Sequence, residues 1–145
     1  MEEQNKDFCE HIINKFRGKR IIRPVYVIQE HTTKRGTHYD LRLEMNKTLE
    51  SWAIPKNPKL SDKKKLLAIF TTPHAIEYAL FQGKIPEGNP GAGSVKIFDL
   101  GTYELIDNKK DKIVFRLKGK KLKGDYCLIN FKRDNKNWLF FKKEN

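Results

Sequence analysis

The stretch Thr37-His38-Tyr39-Asp40-Leu41-Arg42-Leu43-Glu44-Met45 alternates polar and apolar side chains almost without a break. A period of two marks a strand with one buried face. Tyr39, Leu41, Leu43 and Met45 then share one side, and His38, Asp40, Arg42 and Glu44 share the other. Outward from this segment, from Val25 onward, the chain repeats short runs rich in β-branched and aromatic residues: VYVIQ, LESWAIP, LLAIF, SVKIFDL, GTYELI, KIVFRL, DYCLINF and WLFFK. Turn signals separate them at Lys34-Arg35-Gly36, Asn46-Lys47, Lys56-Asn57-Pro58, Gly83, Pro86 to Gly93, Asp107-Asn108, Gly119 and Asp134-Asn135. Strands recurring every eight to twelve residues or so predict a mainly β fold, a closed or nearly closed antiparallel β-barrel. Ahead of it, residues 6–16 place Phe8, Ile12 and Phe16 four apart, the stripe of a short N-terminal helix. A basic arm, RGKRIIRP, follows and ends at Pro24. The reading is one domain over residues 1–145, with helix and arm in 1–24 and barrel in 25–145.

Composition narrows the function classes. Hydrophobic residues are 38% of the chain, enough in strand-length clusters to build a core rather than a disordered coil. No apolar run nears the roughly 20 residues that span a bilayer, and the polar start MEEQNKDF reads against a signal peptide. Cys9 and Cys127 have neither metal-like spacing nor the number for a disulfide framework, so a cytoplasmic setting is expected. Thirty lysines and arginines against eighteen acidic residues leave a formal charge of +12. Such an excess draws polyanions, because each neutralised phosphate releases condensed counterions. Nucleic acid is the expected partner; the plainer alternative is that the lysines only keep a small domain soluble.

The polar face of the quoted strand carries the chemistry. Same-face neighbours lie about 6.6 Å apart, so a metal on the Asp40 carboxylate would carry a phosphate within reach of His38 and Arg42. Mixed charges also occur on the solvated face of an ordinary half-buried strand. The histidines add weight. His31 precedes the strand by the short Thr32–Gly36 loop, and His74 follows LLAIF in a Thr-Thr-Pro-His turn. Two imidazoles and one carboxylate, His31, His74 and Asp40, would leave a metal open positions for water and substrate. His11 reads as a surface histidine. The segment Ile85 to Gly93 lacks both P-loop and dinucleotide spacing, so its glycines are expected to serve turns.

Several segments together resemble one family, the 3′-phosphoesterase domain of bacterial DNA ligase D and its free-standing bacterial and archaeal homologues. They are Val27-Ile28-Gln29-Glu30-His31, His38 to Glu44, Ser51-Trp52-Ala53-Ile54-Pro55-Lys56, and His74 with Glu77-Tyr78. Ile85-Pro86-Glu87-Gly88, Gly91-Ala92-Gly93, Gly101-Thr102-Tyr103-Glu104, Lys121-Leu122-Lys123-Gly124 and Trp138-Leu139 follow in order. The resemblance implies a manganese-dependent β-barrel enzyme of DNA repair. It would remove a 3′-terminal ribonucleoside and then the 3′-phosphate, leaving a 3′-hydroxyl. His31, Asp40 and His74 would hold Mn2+. His38 and Arg42 would hold or protonate the scissile phosphate, Tyr78 would assist near His74, and Lys56 would contact phosphate. Partners would be nucleic acid 3′ ends, a DNA ligase and a polymerase, with the domain a monomer. A histidine–carboxylate site also accepts Zn2+, Co2+ or Cu2+.

The chain departs from the family pattern in places. The His31–His38 connection is one residue longer, Leu66 stands where an arginine is usual, and Thr72-Pro73 replaces an acidic pair. A second reading therefore stays open: a basic β-barrel nucleic-acid-binding module whose catalytic site has decayed.

Overall fold

Val25–Thr33 (β1) and Gly36–Met45 (β2) form an antiparallel hairpin in which Ile28 pairs with Leu41, Gln29 with Asp40 and His31 with His38. The computed structural model describes residues 2–144, with side chains from Phe8 on. Met1 and Asn145, included in the domain by the sequence reading, lie outside the described residues. The further strands are β3 (Thr48–Ile54), β4 (Leu66–His74), β5 (Gly83–Ile85), β6 (Gly93–Lys109), β7 (Lys112–Lys118), β8 (Lys123–Ile129) and β9 (Asn137–Lys142). Their order is β1-β2-β3-β4-β9-β8-β7-β6, and β6 returns to pair with β1, so eight strands close an antiparallel barrel while β5 flanks β6. The N-terminal helix, α1, spans Glu2–Phe16.

Alternation sorts the hydrophobic residues into two cores. Tyr26, Ile28, Leu41, Leu43, Trp52 and Phe115 point into the barrel. The opposite face of the same wall is also covered, because Val25, Val27 and Leu49 pack outward against Ile12 of α1 and against Tyr78, Ala79 and Phe81 around a 3-10 turn, Ile76–Leu80. Each buried aliphatic side chain here contributes about 1.5–3 kcal/mol. The stripe of Phe8, Ile12 and Phe16 is thus the underside of a lid over the outer face of β1–β3, with Ile12 at its centre. Among the described residues, no helix is long and apolar enough to cross a membrane.

Two runs read as separate strands, SVKIFDL and GTYELI, are one continuous strand, β6. Gly101 does not break it. A Cβ there would lie 2.3 Å from the Lys118 carbonyl oxygen, so the glycine permits close approach of the neighbouring backbone. Strand β5 was not expected, since its three residues are too few to show a period. Beneath β6, the buried Asp99 carboxylate accepts from the Tyr26 hydroxyl at 2.9 Å and from the backbone N–H groups of Lys120, Lys121 and Leu122 at 2.8–3.0 Å. It pins the turn between β7 and β8.

Candidate active site

The inward alternation of Tyr39, Leu41 and Leu43 turns His38, Asp40 and Arg42 onto the outer face of the barrel wall, beneath α1. On β1 the same face presents Gln29 and His31, and on β3 it presents Ser51 and Ala53, opposite Arg42 and Asp40 respectively. His31, His38, Asp40, Arg42 and Ala53 form the floor of a cavity of about 360 Å³, with Gln29 and Ser51 beneath it as partners of Arg42. Phe8 and Cys9 of α1, Thr72 to Ala75, Tyr78, and Pro90-Gly91 complete its walls.

His31, His38 and Asp40 converge there. Asp40 Oδ2 lies 3.5 Å from His31 Nδ1, and Asp40 Oδ1 lies 3.2 Å from His38 Nε2. One ligand atom from each of the three lies within 4.8 Å of the others. Two donors each about 2.1 Å from a divalent ion at a right or tetrahedral angle stand about 3.0–3.5 Å apart, so this set fits a metal. The tautomer of His31 fits as well. Its Nε2 is 2.6 Å from the Gly91 carbonyl oxygen; a proton donated there leaves the Nδ1 lone pair facing Asp40. Burial alone would push the Asp40 carboxyl up. Contacts from His31 and His38 and the Arg42 charge more than offset it and hold the group well below the ordinary carboxylate range. Contact with Asp40 in turn raises His31, against the opposing effect of burial.

The fourth outward residue of interest, Arg42, is only 4% exposed. Its Nε donates to Gln29 Oε1 at 2.6 Å, Nη1 to Ser51 Oγ at 2.8 Å, and Nη2 to Asp40 Oδ2 at 3.3 Å. Nη1 also meets His74 Nδ1 at 3.2 Å, and the guanidinium lies 5.0 Å from the Tyr78 ring centroid. Gln29 is held by donating to the carbonyl oxygens of Tyr78 and Phe81. The charge of Arg42 is therefore fixed by the protein, rather than left as an open two-pronged fork.

His74 ends β4 on the far side of Arg42, its ring 4.4 Å from that of Tyr78. Burial, then the neighbouring Arg42 charge, lower its pKa to about 4, so the ring is neutral at neutral pH. Burial pushes Tyr78 up to about 12. The structure thus brings His31, His38, Asp40, Arg42, His74 and Tyr78 around one cavity, with His38 rather than His74 beside His31 and Asp40. Lys56 is exposed beyond the end of β3 and is not among the residues lining the cavity. His11 is exposed, and Leu66 points into the barrel core, while Thr72 and Pro73 line the cavity. Sequence reasoning assigned no role to Gln29, Ser51 or the Gly91 carbonyl. No alternation flags the first two: Gln29 follows the apolar run Val25–Ile28, and Ser51 stands between Leu49 and Ala53 on its own face.

Residues 29–130 match the profile of the DNA Ligase D 3'-phosphoesterase domain. The chain is 44% identical over 125 residues to the multifunctional non-homologous end joining protein LigD of Mycolicibacterium smegmatis, covering 79% of this chain and 16% of that protein. It is 40% identical over 124 residues to the protein of the same name from Pseudomonas aeruginosa, covering 81% of this chain and 15% of that protein. With the non-homologous end joining DNA repair protein LigD of Mycobacterium tuberculosis the identity is 42% over 124 residues, covering 83% of this chain and 16% of the relative. The chain spans about one-sixth of the length of these relatives. A profile match across most of the barrel, at these identities, means that the chain belongs to the DNA ligase D 3′-phosphoesterase domain family.

Proposed function

We propose that the protein is a metal-dependent phosphoesterase that heals nucleic acid 3′ ends, releasing a terminal ribonucleoside and then the 3′-phosphate to leave a 3′-hydroxyl. The observation that carries the reading is the convergence of His31, His38 and Asp40 on the wall of a cavity whose adjoining wall is Arg42 and His74. In this reading His31 Nδ1, His38 Nε2 and an Asp40 oxygen hold the metal, and His74 belongs to the substrate. When bound, a manganese ion or a similar divalent cation would supply Lewis-acid polarisation of a phosphate oxygen and a more acidic water.

The protein's own groups do the rest. Asp40 orients both imidazoles, and the Gly91 carbonyl fixes the tautomer of His31. His74 Nδ1 meets both Arg42 Nη1, at 3.2 Å, and the Thr72 carbonyl oxygen, at 3.0 Å; these contacts hold the ring in place and leave Nε2 to engage a phosphate or leaving-group oxygen. Arg42 places a positive charge beside that oxygen and keeps one Nη2 N–H beyond those engaged with Gln29, Ser51, His74 and Asp40. Tyr78 roofs Arg42 and excludes water. The complete donor set argues against the decayed-site reading. The relatives' names associate this domain with end joining, so we place the activity in DNA-end repair beside a ligase and a polymerase. Incubation of the purified chain with a 3′-phosphate oligonucleotide and Mn2+ should release inorganic phosphate, and a chelator should stop it. No release with Mn2+, Zn2+ or Co2+ would sink the proposal.

A further inference from the structure

A second concavity adjoins the first. It has a volume of about 560 Å³ and is lined by Lys19, Arg20, Ile21, Arg23, Lys47 and the segment Ala75-Ile76-Glu77. Ala75 lines both cavities, so the two meet at the residue after His74. Four cations and one carboxylate line it.

Two points of its basic wall are anchored to the barrel, Arg23 and the backbone at Lys47. Glu44 accepts from the Arg23 guanidinium and, at 3.0 Å, from the Val25 N–H, which ties the basic arm to β2. On the other side, Lys47 occupies the tight β2–β3 turn with a φ of 67°, and the next residue, Thr48, donates to the His74 carbonyl oxygen at 2.8 Å. Lys47 is thereby held against the residue that ends the first cavity. Arg23 is, among the described residues, the one cation of the four that a carboxylate neutralises. Among the described residues, Lys19, Arg20 and Lys47 enter no ion pair.

We propose that this groove binds the phosphodiester backbone of the substrate strand immediately upstream of its 3′ end. The inference rests on the proposed 3′-end reaction for its direction. Beyond the scissile phosphate a 3′ end offers at most one nucleoside, so a basic groove continuing from the site holds the strand on the 5′ side. Its three unpaired cations suit two or three successive phosphates, and Glu77 at its edge disfavours a further anion there. The open, exposed side chains suit a sequence-independent track, since phosphate contacts position a strand without reading its bases.

The test is binding, measured by fluorescence anisotropy on the full chain with single-stranded 3′-phosphate oligonucleotides of one to six nucleotides, across a salt series. Lys19→Gln/Arg20→Gln/Lys47→Gln should weaken binding of the longer oligonucleotides at least tenfold at moderate salt. It should lower the log–log salt slope by roughly 2, at about 0.7 for each phosphate that is no longer neutralised. Binding of the single nucleotide should not change. Lys63→Gln/Lys64→Gln/Lys143→Gln removes the same charge elsewhere and should change neither quantity comparably. Equal weakening by both triple variants would reduce the groove to general charge and overturn the proposal. So would an effect seen only with duplexes, which would assign the groove to the opposing strand. Circular dichroism confirms that each variant is folded. His31→Ala separates this inference from the hydrolytic one: it should abolish phosphate release while leaving the length dependence and salt slope intact. Intact groove binding without phosphate release in the unmodified protein would sink the hydrolase reading alone.

Discussion

His31 and His38 face each other across the β1–β2 hairpin as a register pair, with ring centroids 4.8 Å apart and the Asp40 carboxylate within 3.5 Å of a nitrogen of each. On the proposed assignment, His31 and His38 are metal donors and His74 is a substrate group. Truncating either ring to alanine should lower Mn2+ affinity by at least 10–100-fold, since a vacant position in a small ligand set is poorly made good by water. His74→Ala should leave metal affinity within a few-fold and slow phosphate release instead. Isothermal titration calorimetry of the three variants checks this; loss of metal binding in His74→Ala with retention in His38→Ala would exchange their roles.

Arg42 and Leu43 are adjacent, yet they face opposite sides of the wall. Leu43→Ala should cost about 2–5 kcal/mol through a core cavity, with turnover per folded molecule little changed. Arg42→Ala should cost stability as well as turnover, because it strips one charged partner from buried Asp40 and leaves the Gln29 Oε1 without its donor. Breaking a buried pair of this kind costs about 3–5 kcal/mol. Arg42→Lys restores a charge but not the three fixed hydrogen bonds, so its recovery should be partial. Urea unfolding and single-turnover phosphate release measure both effects.

Gly91 sets the position of His31 from outside the sheet. Its φ is +78°, and a Cβ on it would stand 3.0 Å from His31 Cε1. Gly91→Ala should cost roughly 1 kcal/mol or more from the left-handed backbone alone. It should also weaken metal binding by displacing the ring that the Gly91 carbonyl holds. Unchanged Mn2+ affinity in this variant would mean that the carbonyl contact does not orient His31.

The pKa of His74 gives a pH dependence with a definite sign. The folded protein holds it at about 4, below the ordinary 6.5, so the unfolded chain binds the extra proton first as pH falls. The stability this residue contributes is complete above pH 6.5 and is lost as pH drops toward about 4. His31, raised by Asp40, acts in the opposite direction, so the comparison is between the protein and His74→Gln, both in chelator. Their unfolding free energies from urea titration should converge from pH 7.5 to 4 by on the order of 1–3 kcal/mol. A constant gap across that range would contradict the buried neutral ring.

The fold was legible where periodicity is strong. The alternation of Thr37–Met45 separates Leu41 and Leu43 from Asp40 and Arg42 as the structure does, and the spacing of the turns implies the barrel. A period of two shows that His38 and Asp40 share a face, but it cannot say which residue of the next strand stands opposite. That depends on hairpin register, which pairs His31 with His38. Nor does a helical stripe say which surface it covers. Phe8, Ile12 and Phe16 read as a buried face, but their packing on the outside of the barrel, over the site, is a tertiary fact. Gln29 was hidden among apolar neighbours on a strand buried on both sides. Lys56 follows the Ser51–Pro55 motif where the chain leaves the sheet at Ile54, and its exposure follows from that position.

The three proposed metal donors, His31, His38 and Asp40, sit within a single hairpin, joined by the tight turn at Lys34-Arg35. Their juxtaposition therefore needs only local chain closure, whereas sealing the barrel needs β1 to meet β6 about seventy residues away. A cation captured by the hairpin would reward the correct pairing of β1 with β2 and penalise any slip of one residue, which would turn His31 away from Asp40. On the proposed assignment, a bound cation would serve as a register gauge during assembly, checking the first joint of the wall before the last one closes.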